Sequence, residues 1–259
     1  MLYQTKSYFH YLRKAKGTHG VHSPFVFDLM RQVFDANDKF YAFEAIELTR
    51  KKLILDNRKI EINDLGAGSK KGNHKTKTVS QIVKSASKPP KYGQLLFRLA
   101  NYFQVTNALE IGTSLGISTA YIAKARKTAE IITLEGDTNI ARIAKENFKK
   151  LKLNNVTLVE GNFDKTLPQI LENKTKLDFV FFDGNHTEKS TLNYFNQCLS
   201  KTHNNTIFVF DDIYWSEGMT KAWEKIKNHH KVTTTIDVFQ MGIVFFKKEL
   251  PKQHHIIKY

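Results

Sequence analysis

One cysteine in 259 residues, Cys198, leaves no partner for an intramolecular disulfide and excludes a cysteine-rich zinc site. No stretch approaches the ~18 apolar residues of a membrane-spanning helix. The opening residues MLYQTKSYFHYLRKAKG lack the apolar run of a secretory leader. These absences predict a soluble, cytoplasmic protein with no membrane partner. Arginine is also scarce, at seven of the 40 basic residues. Its planar fork is the side chain best suited to phosphate and base edges, so a formal charge of +15 carried mostly by lysine is weak evidence for nucleic acid. Apolar residues are not lacking: at 41%, with 12% aromatic, they suffice for a sizeable core and exclude a disordered chain.

Two textures divide the chain. Residues 1–105 read as a helical N-terminal extension with a basic loop. Ser23-Pro24 predicts a capped helix running to about Phe34, and apolar periodicity predicts helices over about 40–55 and 92–103. The segment 50–91 holds twelve basic and three acidic residues, net +9, and its centre GAGSKKGNHKTKT has the composition of a loop. From 106 to 259, short apolar runs alternate with amphipathic segments. Strands are expected at 108–111, 131–135, 156–160, 177–183 and 206–212, with helices at 117–126, 139–150, 190–199 and 219–227. Two closing β runs, 232–239 and 242–247, are near enough to pair antiparallel. Such alternation predicts an α/β fold: a Rossmann-like, doubly wound, mostly parallel sheet with an antiparallel last strand.

Candidate chemistry lies at the carboxyl ends of those strands. Glu110-Ile-Gly112-Thr113-Ser114-Leu-Gly116 joins a strand to a helix, where glycines admit a ligand to the backbone and a helix N-terminus offers free N–H groups. Its spacing is not the G-x-G-x-x-G of dinucleotide sites, which disfavours NAD or FAD. Glu135 closes the next strand about 20 residues further on, the position from which a carboxylate accepts from a ribose diol. Asn162 and Phe163 follow the third strand and suit the edge and face of a purine. Asp183, Asp211 and Asp212 end two further strands, and carboxylates without cysteine suit a hard cation such as Mg²⁺ or Ca²⁺. An aspartate at a strand end is also a common helix cap.

The ordered set GQLLFRLANYFQVTNALEIGTSLGISTAYIA, TLEGD, DFVFFDGNH and FDDIYWSEG resembles the class I S-adenosylmethionine-dependent methyltransferases, nearest the catechol and caffeoyl-CoA type O-methyltransferases and their bacterial relatives, over about 92–246. The resemblance implies that Glu110, Gly112, Thr113, Ser114 and Gly116 cradle the methionine part of the cofactor. It implies Glu135 on the ribose, Asn162 with Phe163 on the adenine, and Asp183, Asp211 and Asp212 at the three metal positions. The chain departs from the family twice. Asp211-Asp212 stands where Asp-Asn is usual, and His186 stands where the family has lysine. Trp215, with its neighbour Tyr214, falls beside the acceptor pocket. Histidine titrates near neutrality, so His186 is the expected base beside Asp183. The implied reaction is methyl transfer to a small-molecule hydroxyl, with metal assistance as an option. The resembling group commonly forms homodimers.

Other features compete. The basic segment 50–91 admits an RNA methyltransferase, although Asp183 is followed by Gly-Asn-His rather than an N-P-P-Y-like tetrapeptide. A non-catalytic module that binds S-adenosylmethionine is a third reading. EINDLGAGS (61–69) is a second glycine motif without a following apolar helix face, and is read as a loop. His19-x-x-His22 is too sparse for a metal, His229-His230 and His254-His255 are read as surface, and Cys198 as buried and inert. Excess charge outside the acid-lined strand ends suggests an anionic acceptor, or merely a lysine-rich proteome.

Overall fold

The computed structural model describes residues 2–36, 38, 40–63 and 74–259. The chain opens with α1 (Leu2–Lys14) and α2 (Pro24–Leu29). Ser23 caps α2 by accepting from the Val26 N–H, and Pro24 occupies the first turn, where a missing N–H costs nothing. A π turn, Met30–Phe34, continues the helix. Next come α3 (Tyr41–Ile54) and a hairpin of β1 (Lys59–Asn63) and β2 (His74–Thr78), paired from Lys59↔Thr78 to Asn63↔His74. The loop expected at GAGSKKGNHKTKT therefore gives way to a strand at 74–78, where threonine alternates with lysine and the β-branched residues favour pairing. The rest of that loop, with most of the second glycine motif, lies outside the described residues. Thr78 and Gln81 form a reciprocal capping box that opens α4 (Val79–Ala86), and α5 (Pro90–Tyr102) follows.

From there strands and helices alternate: β3 (Asn107–Ile111), α6 (Ile117–Ala125), β4 (Glu130–Glu135), α7 (Thr138–Lys150), β5 (Val156–Glu160) and α8 (Phe163–Glu172). They continue as β6 (Phe179–Phe182), α9 (Glu188–Cys198), β7 (Ile207–Asp211), α10 (Glu217–Asn228), β8 (Thr234–Asp237), β9 (Met241–Phe245) and β10 (Gln253–Ile256).

The chain divides into two compact units, residues 37–170 and residues 1–36 with 171–259. This differs from the boundary expected at 105/106. Hydrogen bonding explains where the first helices belong. The Tyr11 hydroxyl donates to the Ile257 carbonyl at 2.6 Å, Lys16 N–H donates to Ile256 O at 2.9 Å, and Phe25 meets Phe245 edge-on at 5.1 Å. Helices α3 and α5 belong to the other unit. There the Tyr121 hydroxyl of α6 donates to Glu47 at 2.7 Å, and Gly93 lies so close to the Tyr121 ring that a Cβ would sit 2.3 Å from Cε2.

Unit 37–170 carries three parallel strands in the order β3-β4-β5. The other unit carries five, ordered β10-β8-β9-β7-β6: β6 and β7 are parallel, β9 runs antiparallel to both β7 and β8, and β10 is parallel to β8. Strands β6 and β7 are buried throughout, which accounts for their uninterrupted apolar sequences, and Phe182 stacks on Phe210 at 4.3 Å. This is the expected Rossmann-like α/β build, mostly parallel with an antiparallel late strand. No helix among the described residues is long and apolar enough to cross a membrane.

Candidate active site

In unit 37–170 the loop 112–116 turns sharply at the end of β3. Gly112 (φ +107°), Ser114 (φ +48°) and Gly116 (φ +79°) all adopt left-handed backbone. Gly116 admits no side chain, because a Cβ would lie 2.4 Å from Phe148 Cε1. The N–H groups of Gly112 and Thr113 both donate to Leu134 O at 3.0 Å, which ties the loop to β4.

Glu110 is fully buried beneath this loop. Its Oε2 accepts from the Thr119 hydroxyl and from the Thr133 hydroxyl at 2.6 Å, and Thr113 and Thr133 share a further bond of 2.6 Å. Oε1, although Ser118 is near, is buried without a hydrogen-bond partner of ordinary geometry. Burial raises the carboxyl to about 7 against the pull of the surrounding hydroxyls. Sequence reasoning missed the hydroxyl set, but register could have found part of it: Thr133 is the β4 partner of Glu110.

Glu135, at the end of β4, is also raised to about 7, first by burial and despite bonds from backbone N–H groups. Its Oε2 accepts from Ser114 N at 2.8 Å and its Oε1 from Asp137 N at 3.0 Å. The side chain thus clamps the glycine loop and still has lone pairs for a diol, since a carboxylate offers about four acceptor sites. Asn162 turns its Oδ1 to the Asp164 N–H at 2.8 Å, a cap at the start of α8, and Phe163 is the first residue of that helix. Together, the buried Glu110 carboxyl, the glycine cradle and the anchored Glu135 fit an aminoacyl-nucleoside ligand such as S-adenosylmethionine.

In the other unit, Asp183 directly follows the apolar strand β6, Asp211 ends β7, and Asp212 has left-handed backbone (φ +54°). His186 Nε2 lies 3.5 Å from Asp183 Oδ1, with both side chains partly exposed. Asn185 (φ +56°) turns the chain between them and donates to the Tyr194 hydroxyl at 2.7 Å. Trp215 is well exposed. Tyr214 is committed elsewhere: its hydroxyl donates to Asp237 at 2.5 Å, its ring stacks on Phe239 at 5.3 Å, and burial beside Asp237 raises the phenol far above its ordinary value. Among the described residues, no group of three or more His, Cys, Asp or Glu is arranged to hold a metal ion.

Residues 109–213 match the sequence model of a methyltransferase-domain family. That span runs from within β3 to two residues past β7 and contains most of the residues described above. The chain is 32% identical over 127 residues to a catechol O-methyltransferase of Niastella koreensis, which covers 48% of this chain and 57% of that protein. The chain thus spans a little over half the length of this curated relative. Among solved structures, the fold is similar to an O-methyltransferase from Bacillus cereus in complex with SAH (TM-score 0.57, 20% identity, 83% of this chain and 96% of that one). It is also similar to a SAH-bound methyltransferase of Podospora anserina (TM-score 0.61, 17% identity, 88% and 98%).

Proposed function

We propose that this chain is an S-adenosylmethionine-dependent O-methyltransferase acting on a hydroxyl of a small molecule. The observation that carries the reading is the coupled arrangement of Glu110, the loop 112–116 and Glu135. It is supported by the match to a methyltransferase domain and by the catechol O-methyltransferase relative.

S-adenosylmethionine, when bound, supplies an electrophilic methyl group on a sulfonium. In this proposal Gly112, Thr113, Ser114 and Gly116 hold the methionine portion, and Glu110 receives its ammonium through bridging hydroxyls or water. Glu135 accepts from the ribose hydroxyls, and Asn162 with Phe163 lines the adenine. His186 takes the acceptor's hydroxyl proton while Asp183 orients the imidazole, the base-and-orienter arrangement of general base catalysis. Trp215 is assigned to the acceptor. Tyr214 is not, because its hydroxyl and ring are both engaged. No step is assigned to Mg²⁺ or Ca²⁺.

The test is transfer of labelled methyl from S-adenosylmethionine to catechol-type and carboxylated phenolic acceptors, with and without EDTA. Small-molecule product is expected, persisting in EDTA, with Glu135→Ala raising the cofactor Kd at least tenfold. His186→Gln is expected to lower kcat by about 10² with the cofactor Kd unchanged. Activity abolished by EDTA and restored by Mg²⁺ would reinstate Asp183, Asp211 and Asp212 as ligands. Label appearing only in RNA would move the acceptor assignment to the basic segment 50–91. Preference for the carboxylated acceptors would identify the acceptor as an anion.

A further inference from the structure

Two histidine features that the methyltransferase reading does not use come together in the unit formed by residues 1–36 and 171–259. A cavity of about 650 Å³ is lined by Arg13, Lys14 and Lys16, by the turn Gly20–Ser23 with His22, and by Gln253–Ile256, all of β10. Six of its lining residues carry or can carry positive charge (Arg13, Lys14, Lys16, His22, His254, His255), and none carries negative charge. The wall is built by backbone pairing rather than by chance apposition of surface chains. Lys16 N–H donates to Ile256 O at 2.9 Å and Lys258 N–H to Lys16 O at 3.0 Å, so the end of α1 is stitched to the outer edge of β10. This brings residues near 13–23 against 253–256, some 230 positions away in sequence.

Electrostatics select the ligand. A transition metal would suit three imidazoles, but the ammonium and guanidinium groups around them repel a cation, and no metal-holding group of three exists among the described residues. No acidic side chain lines the cavity. His255 is held below its ordinary value by burial and then by Lys16, and His254 by burial and then by Lys227 and Lys252, with only Glu224 opposing. The cavity wall thus presents Arg13, Lys14 and Lys16 with no acid among its lining, in a concavity where field lines are focused. Its volume lies within the ~300–1,000 Å³ of small-molecule pockets and far exceeds what a single inorganic anion fills.

The geometry points to a binding site for a phosphorylated small molecule of nucleotide size, its phosphates held by Arg13, Lys14 and Lys16 and its polar remainder against His22, Ser23 and His255. Arg13 supplies the planar fork that grips two phosphate oxygens, and the lysines add point charge. The cavity lining shares no residue with the proposed methyl-transfer machinery, and the proposal does not depend on it.

The experiment is calorimetric titration of the full chain with pyrophosphate, with ATP and with a 20-nucleotide single-stranded RNA, at 50 and 200 mM NaCl. Expected is saturable one-to-one binding of ATP tighter than of pyrophosphate, with R13Q/K16Q weakening both by at least tenfold. That is about the worth of one charge-assisted contact. Both residues lie on exposed positions, so the variant should keep the wild-type Tm within a few degrees. K149Q/K150Q, at the end of α7, serves as a control for non-specific cation loss and should bind ATP as wild type does. Absence of saturable ATP and pyrophosphate binding would overturn the proposal. So would equal weakening in R13Q/K16Q and K149Q/K150Q, or binding of RNA alone. H255Q is a second probe, expected to weaken ATP several-fold while leaving methyl transfer unchanged.

Discussion

Glu110 is an ionisable side chain with no exposure, surrounded by hydroxyls rather than by any cation. Burial favours the neutral acid and outweighs the hydroxyl hydrogen bonds, which favour the anion. Its ordinary value is 4.5 and its folded value about 7, so the native state retains the proton across that window. The stability this contributes is fully present below about pH 4.5 and is lost as the pH rises through about 7. Glu110→Gln is neutral at every pH and keeps a similar shape. It should unfold at higher temperature than wild type at pH 8, by an amount on the order of 2 kcal/mol, and the two curves should converge toward pH 5. Thermal unfolding across pH 5–8 checks this, and parallel curves would show that Glu110 is ionised throughout. Glu135 leans the same way, so a smaller slope should survive in the variant. Retaining an acid at position 110 costs stability near neutrality, which is intelligible if the carboxyl is needed for a cationic ligand and not for the fold.

One side chain controls how helix and strand meet in unit 37–170. The Asn155 amide donates to the carbonyls of Ala123, Arg126 and Ala129 at 3.3, 3.1 and 3.0 Å, joining the end of α6 and the start of β4 to the residue preceding β5. Asn155→Ala leaves three carbonyls without this partner and should cost about 2 kcal/mol, read as a lower urea midpoint with unchanged slope. The sequence does not announce this role, because nothing local distinguishes Asn155 from Asn154. Elements with strong periodicity were legible: β3, β4, β5, α6 and α7 fall within one or two residues of expectation, as do the antiparallel β8 and β9. Elements defined by a distant partner were not. β10 reads Gln-His-His-Ile and is a strand only because it pairs with β8. α8 was hidden by Pro168 in its interior, and β2 by lysines that suggested a loop. The site was legible where ligand chemistry demands glycine or acid, at Gly112, Gly116, Glu110 and Glu135. It was obscured where one residue type serves two ends, as at Tyr214, whose aromatic neighbours and buried Asp237 are remote in sequence.

At the scale of the whole chain, 40 basic residues face 25 acidic ones, and the excess of fifteen charges must be carried in the folded state. Some cations are paired, as in Lys145–Glu160 at 2.6 Å, Lys225–Glu188 at 2.8 Å and Arg58 with Asp56 at 2.7 Å. Pairs with exposed partners contribute about 0–1 kcal/mol each and weaken as salt is added. Mutual repulsion among the excess cations weakens too, and it acts over longer distances, so screening removes proportionally more of it. The two effects have opposite signs, and the imbalance of charge decides between them. Raising NaCl from 20 to 300 mM should therefore raise the melting temperature. Relief of about 1 kcal/mol would appear as roughly 2–4 °C for a chain of this size. Most of the rise should come below 150 mM, where the screening length falls from about 20 to about 8 Å. A fall in melting temperature over the same range would assign the larger share of surface electrostatics to the ion pairs. A rise with pyrophosphate that exceeds the rise with sodium chloride at equal ionic strength, and that is lost in R13Q/K16Q, would separate site binding from general screening.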